Sequence, residues 1–206
     1  MSSSDSAVER LLAAELGQRP RADAQRNVRR LVDAARKAVA EVGVDVTAHE
    51  IARRAGVGIG TFYRRLPSRE ALLGAVLADT LDEIVALADR ALRNPDPWRG
   101  FRDFAEDYVG LRATSCGIND ALGGQCPLEI DSSLTALRDR FRQLVERAQE
   151  AGAIRSDLVW QDVPFLLSSV IPADRTIGLR AGPEQWRRNL RIVLDGLDRE
   201  PARSRD

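Results

Sequence analysis

The sequence predicts an all-α fold, with an N-terminal three-helix helix-turn-helix head and a C-terminal helical body. Apolar residues recur at helical spacing through most of the 206 residues. No period-2 apolar run bounded by turn residues interrupts them. Glycine, proline and capping residues fall where helices of ordinary length would end.

Taken in order, residues 1–20 read as a flexible N-terminal extension. Within it "AVERLLAAEL" (7–16) offers an amphipathic turn or two before "GQRP". From residue 21, Val28, Leu31, Val32, Ala35, Val39 and Val42 form a helical stripe that stops at Gly43. "TAHE" (47–50) matches a capping box, in which Thr47 caps the amide of residue 50 and Glu50 reaches back. A short helix follows, burying Ile51, Ala52 and Ala55, and Gly56 ends it in a left-handed conformation that only glycine adopts cheaply. Gly58 opens a second short helix through Leu66, Pro67 closes it, and Ser68 caps a long helix reaching "NPDP" at 94–97. The head thus spans 21–67, the body 68–200 and a tail 201–206. In the body, helices are expected at about 98–114, 118–124, 128–151, 160–180 (kinked at Pro172) and 183–198.

Apolar residues make up 44% and charged residues 30%, as in ordinary soluble globular chains, and the net charge is zero. Its distribution is uneven. Arg19 to Arg69 holds 12 basic and 5 acidic residues, leaving 19 basic and 26 acidic elsewhere, so one segment is suited to a polyanion. Lys37 is the only lysine. A codon preference accounts for that, yet arginine's planar fork also grips phosphate and guanine better than an ammonium does. Cys116 and Cys126 form no metal or redox motif and are expected to be buried and reduced. With no apolar leader and no spanning run, the chain is expected to be cytoplasmic and not membrane-bound.

An enzyme is disfavoured. The lone histidine, His49, sits in the capping box, and neither a phosphate-binding glycine loop nor a G-x-S-x-G elbow occurs. Glu106 and Asp107 are adjacent on a helix and point apart. No catalytic residue, metal or cofactor is expected.

The stretch "AGVGIGTFYRRL" (55–66) concentrates the functional signal. A short helix, a glycine turn and a second short helix make a helix-turn-helix. Val57 and Phe62 plug the angle, leaving Ile59, Gly60, Thr61, Tyr63 and Arg64 outward. Gly60, lacking a side chain, lets the second helix approach a DNA groove, while flanking arginines neutralise phosphates. A tight corner inside a helical bundle would use the same glycines; the outward tyrosine, the arginines and the local charge favour DNA.

"VTAHEIARRAGVGIGTFYRRLPSREALLGAVL" (46–77) closely resembles the helix-turn-helix signature of the tetracycline-repressor (TetR) family of bacterial regulators, a likeness covering about 28–77. It implies a homodimeric, ligand-responsive regulator whose heads read the half-sites of a palindromic double-stranded operator. By that resemblance Thr47 and Arg69 contact phosphates, Tyr63 packs on the DNA backbone, and Arg65 stands where a histidine is common. Gly58 replaces a serine cap, and Ile59 takes a site often polar, suited to a thymine methyl. Of the helix pair Arg53 and Arg54, Arg53 is expected to face phosphate. The basic run "RPRADAQRNVRR" (19–30) reads equally as a DNA-contacting arm or a solvated helix start.

In the body, Trp98, Phe101, Phe104 and Tyr108 line one helix. Such a stripe is core packing or a ligand box; the resemblance implies an effector pocket, with Arg112, Phe141 and Phe165 completing it and Asn119 and Gln125 as further polar groups. The pocket would suit a small, partly apolar molecule. Val163, Leu167 and Val170 on one late helix, with Trp186, Leu190, Val193, Leu194 and Leu197 on the last, either close the chain's own core or pair with a second copy; self-association is the expectation. The function so read is a DNA-binding repressor released by its effector, and the alternative is an effector-independent regulator whose body is a dimerisation scaffold.

Overall fold

A computed structural model describes residues 6–16, 22–124, 126–173 and 175–198. The expected tail, Gln125, and residues 1–5 and 17–20 of the expected extension lie outside the described residues. Ten helices are described: α1 (Ala7–Leu16), α2 (Ala22–Val42), α3 (Ala48–Ala55), α4 (Ile59–Arg65), α5 (Arg69–Leu92), α6 (Pro97–Thr114), α7 (Cys116–Leu122), α8 (Asp131–Glu150), α9 (Asp162–Ser169) and α10 (Gln185–Leu197). One antiparallel hairpin, β1 (Arg175–Thr176) with β2 (Leu179–Arg180), is the exception to the all-α prediction.

The chain divides into two compact units. One runs to Glu83 and includes Thr114–Leu134; the other comprises Ile84–Ala113 and the residues from Thr135 on. The division falls within α5, not at Pro67 as the sequence suggested, because α7 folds with the head.

In the first unit the predicted stripe of α2 is buried at Val28, Leu31, Val32, Ala35 and Val39, but Val42 is exposed. Ile51 and Ala52 of α3, Phe62 of α4, and Leu72, Leu73, Val76 and Leu77 of α5 supply more of its core. The amphipathic turn or two foreseen at 7–16 is a full helix of 10 residues. Ser6 and Glu9 form a reciprocal capping box (Glu9 N to Ser6 Oγ 3.1 Å, Ser6 N to Glu9 Oε2 3.0 Å). The Ala7 amide donates to the buried Asp79 carboxylate at 2.5 Å, which also accepts from Arg36 at 3.1 Å.

In the second unit, Phe101, Phe104 and Tyr108 of α6 and Phe141, Leu144 and Val145 of α8 are buried, and Phe104 and Tyr108 meet the Phe141 ring. The helix expected over 160–180 is shorter. It ends at Ser169, Ile171 N turning to Ser168 O at 3.4 Å, and no kinked helix continues through Pro172, which disfavours helical backbone in the residue before it. The hairpin that follows turns on Ile177 (φ +42°) and Gly178 (φ +82°), two left-handed residues that match the twist of a two-residue turn.

Candidate nucleic-acid interface

The α3–α4 pair is built from local chemistry. Thr47 is extended (φ −82°, ψ 156°), and its hydroxyl accepts the Glu50 amide at 3.2 Å. Only half of the predicted capping box forms. The Glu50 carboxylate takes two of the three Arg53 nitrogens (Nε 2.8 Å, Nη2 2.7 Å) and Arg54 Nε (2.7 Å) instead of reaching back. Those hydrogen bonds, Arg53's first, hold its carboxyl at about 2, below the ordinary 4.5. Arg54 also reaches Glu41 at 2.5 Å.

At the other end Gly56 adopts φ +63°, ψ 38°. Its amide donates to Arg53 O (3.1 Å) and the Val57 amide to Ala52 O (3.0 Å), a Schellman closure. Gly58 precedes α4 with no side-chain cap.

On α4, Phe62 is 0% exposed and locks the corner, while its neighbour Tyr63 is 59% exposed. The two rings meet edge to face at 5.2 Å. Gly60 and Arg64 are exposed; Ile59, Thr61 and Arg65 are partly so. Arg64 Nη2 donates to Thr61 Oγ1 at 3.2 Å, folding the guanidinium toward the helix N-terminus. Neither Arg64 nor Arg65 makes an ion pair among the described residues, whereas Arg53 and Arg54 are held by acids.

Beside Tyr63 lies a concavity of 480 Å³ lined by Asp45, Thr47, Ala48, His49, Pro67, Ser68, Arg69 and Glu70. The N-termini of α3 and α5 both open onto it, beside the carboxylates of Asp45 and Glu70. His49, read from the sequence only as part of the capping box, is one of its walls. Arg69 departs from expectation. Its Nη1 donates to Val44 O (2.9 Å) and Val46 O (2.8 Å), and its Nε to Glu70 (3.0 Å). The guanidinium that the sequence assigned to phosphate is turned into the loop before α3.

The sequence also missed Arg30 and Asp120. Arg30 donates from Nε to Ala55 O (2.8 Å) and from Nη2 to Gly56 O (2.5 Å); Asp120 of α7 accepts the Val44 amide at 3.0 Å. Their partners are 25, 26 and 76 residues distant, so no local pattern reveals them. The basic run at 19–30 is helical from Ala22, with Arg26 paired to Asp23, as a solvated helix start would be. Arg19 and Arg21 lie outside the described residues.

In the second unit the predicted pocket residues divide. Phe104, Tyr108 and Phe141 fill one another's space, with centroids 4.9–5.9 Å apart, and Trp98 stacks on Phe101 at 6.1 Å. Arg112 Nη1 reaches Tyr108 Oη at 3.1 Å and Ser168 Oγ at 2.6 Å. Burial raises the Tyr108 phenol's pKa, with Arg112 opposing. Phe165 does not join them; it is 77% exposed, since Val163 and Leu167 take the inner face of α9. Asn119 lies in the other unit, on α7.

The predicted dimer residues are also placed differently. Val163, Leu167, Val170, Trp186, Leu190, Leu194 and Leu197 are buried within the subunit itself, and Val193 is half-buried. They close the unit's own core. The outward face of α9 and α10 instead carries Phe165 and Ile192, the latter 68% exposed. Cys116, expected to be buried, is exposed, with its Sγ 3.5 Å from Glu41 O. No described helix is long and apolar enough to cross a membrane.

A family model described as "Bacterial regulatory proteins, tetR family" matches residues 31–76, and one for the C-terminal domain of SbtR-like transcriptional regulators matches 96–199. Among solved structures, a TetR transcription regulatory protein from Mycobacterium vanbaalenii is similar at 33% identity, over 86% of this chain and 98% of that one (TM-score 0.57). A TetR transcriptional regulator from Streptomyces coelicolor is similar at 27% identity, over 82% and 97% (TM-score 0.59). RolR in complex with resorcinol shares the fold at 24% identity, over 85% and 89% (TM-score 0.51). No curated protein matches.

Proposed function

The chain belongs to the TetR family of transcriptional regulators, and we propose that it is a homodimeric repressor that binds a palindromic operator through α4 and the adjoining concavity. The observation that carries this reading is the opposite fate of two neighbouring rings. Phe62 is wholly buried, while Tyr63 stands exposed beside Thr61, Arg64 and two helix N-termini. A surface with an exposed aromatic, two arginines that make no ion pair among the described residues, and helix N-termini suits the backbone and major groove of duplex DNA. A dimer sitting over a promoter excludes polymerase, hence repression.

Self-association is assigned to the outward stripe of α9 and α10, where Phe165 and Ile192 leave apolar area in water. Control by a small molecule is supported by Arg112 between Tyr108 and Ser168, a polar set at the edge of an aromatic cluster. An effector that binds better to a DNA-incompetent state would shift the population off the operator. The mutual packing of Phe104, Tyr108 and Phe141 favours a second reading, in which the body senses nothing. A gel shift with the DNA flanking the protein's own gene, repeated against a panel of small aromatic and aliphatic ligands, separates them. Release by a ligand supports the sensor; a shift no ligand relieves supports the scaffold; no shift at all refutes both.

A further inference from the structure

Two arginines of the basic head point away from the role that their charge suggests. Arg30 projects from α2 and satisfies consecutive carbonyls, Ala55 O and Gly56 O, through one edge of its guanidinium. These carbonyls lie at the C-terminal end of α3, where no intrahelical donor remains. Arg69 projects from α5 and satisfies Val44 O and Val46 O with a single nitrogen, immediately before the Thr47 cap. Glu70 takes its Nε. α3 is therefore gripped by arginine at both ends, on the loop that enters it and on the corner that leaves it.

We propose that Arg30 and Arg69 are positioning residues. They set α3, and through the glycine corner α4, in the attitude that DNA requires, without contacting phosphate. The inference rests on the reading of α3–α4 as the DNA interface and redistributes its chemistry. Arg69 lines the concavity, so position alone would make it a phosphate ligand. Its hydrogen bonds give it a second role, because two of its three donor nitrogens already have acceptors inside the head and fix the guanidinium on the loop before α3. Arginine is needed at position 30, since Nε–H and an Nη–H leave one edge in parallel and meet two adjacent carbonyls; a lysine ammonium lacks that fork.

Salt distinguishes the roles. A phosphate contact releases counterions, so each one lost lowers the slope of log K against log salt by about 0.9, or roughly 1.8 for a dimer carrying the change twice. A positioning residue weakens binding equally at every salt concentration. The experiment measures binding of full-length wild type, R30K, R69K and R65A to fluorescent DNA flanking the protein's own gene, between low and moderate salt. Circular dichroism checks each fold. R30K keeps its charge yet loses the fork and is expected to weaken binding on the order of tenfold with an unchanged slope; R69K, whose one nitrogen can still donate to both carbonyls, is expected to bind close to wild type. R65A is the phosphate control, expected to lower the slope by about 1.8.

Wild-type affinity in R30K or in R69A would overturn the proposal. To ask the same of the neutral side chain, R69A is added: a fall in affinity at constant slope agrees, whereas a slope loss matching R65A refutes positioning. Should a lysine variant not fold, R30Q or R69Q takes its place, and a changed slope there counts against the idea. If wild type itself fails to bind, the interface reading falls, an outcome distinct from any of these.

Discussion

Two glycines four residues apart are expected to answer alanine with opposite signs. Gly56 sits at φ +63°, a region in which a Cβ costs about 1–2 kcal/mol. A Cβ there would lie 3.3 Å from Arg30 Nη2, so the guanidinium must give ground while holding Gly56 O. Restricting the unfolded chain returns about 0.4–1 kcal/mol. Loosening the Arg30 contacts adds roughly 0.5–1 kcal/mol. Gly56→Ala should therefore destabilise by about 1–2 kcal/mol, or roughly 2–8 °C in Tm for a chain of this size. Gly60 has ordinary helical backbone, and a Cβ there meets nothing within 4 Å. Gly60→Ala is expected to stabilise by about 0.5–1 kcal/mol. The added methyl would stand on the surface proposed to face DNA, so the same variant should bind the operator more weakly. Urea denaturation and fluorescence anisotropy read the two effects separately. A Gly56→Ala variant as stable as wild type would refute the account of the corner. A Gly60→Ala variant with unimpaired DNA affinity would refute the close approach of α4.

Other expectations concern neighbouring residues whose environments differ. Phe62→Ala should cost about 3–5 kcal/mol by leaving a cavity under the corner; Tyr63→Ala should change stability by no more than about 1 kcal/mol, and equal losses in denaturation would contradict the assigned burial. The lowered Glu50 pKa makes a pH prediction. Because the folded value of about 2 lies below the ordinary 4.5, its stabilisation is complete above 4.5 and fades as pH falls toward 2. The stability difference between wild type and Glu50→Gln should shrink over that window, and a flat difference would count against the Arg53–Glu50–Arg54 network. Ile192→Asp should yield a folded monomer by light scattering; a persistent dimer would remove α10 from the interface. Trp186→Ala should instead lower stability by about 3–5 kcal/mol.

The elements legible in the sequence are those fixed by neighbours along the chain. The stripe of α2 as far as Val39 and the Thr47 cap are local signals, as are the left-handed Gly56 and the inward Phe62, and each stands where its spacing placed it; Val42, at the end of the stripe, is exposed. Tertiary competition decided the rest. Glu50 was free to reach back to the cap, but two arginines on its own helix offered stronger, charged donors. The apolar stripes of α9 and α10 declared that they would be buried and said nothing of what would cover them; Trp186 and Leu190 found partners in the same subunit. Arg69 carries a charge that suggests phosphate, yet two carbonyls across 23 and 25 residues claimed it. A helix pattern continued past Ser169 because Val170 and Ile171 are apolar, while the chain leaves the helix there, just before Pro172, which disfavours helical backbone in the residue preceding it.

The most direct test of the DNA interface is the affinity of Tyr63→Ala and Arg64→Ala for DNA flanking the protein's own gene, measured by anisotropy beside wild type. Wild type should bind with steep salt dependence, and each variant, folded and of unchanged oligomeric state, should lose on the order of tenfold or more. Variants that bind as tightly as wild type would contradict the claim that this face of α4 meets the double helix.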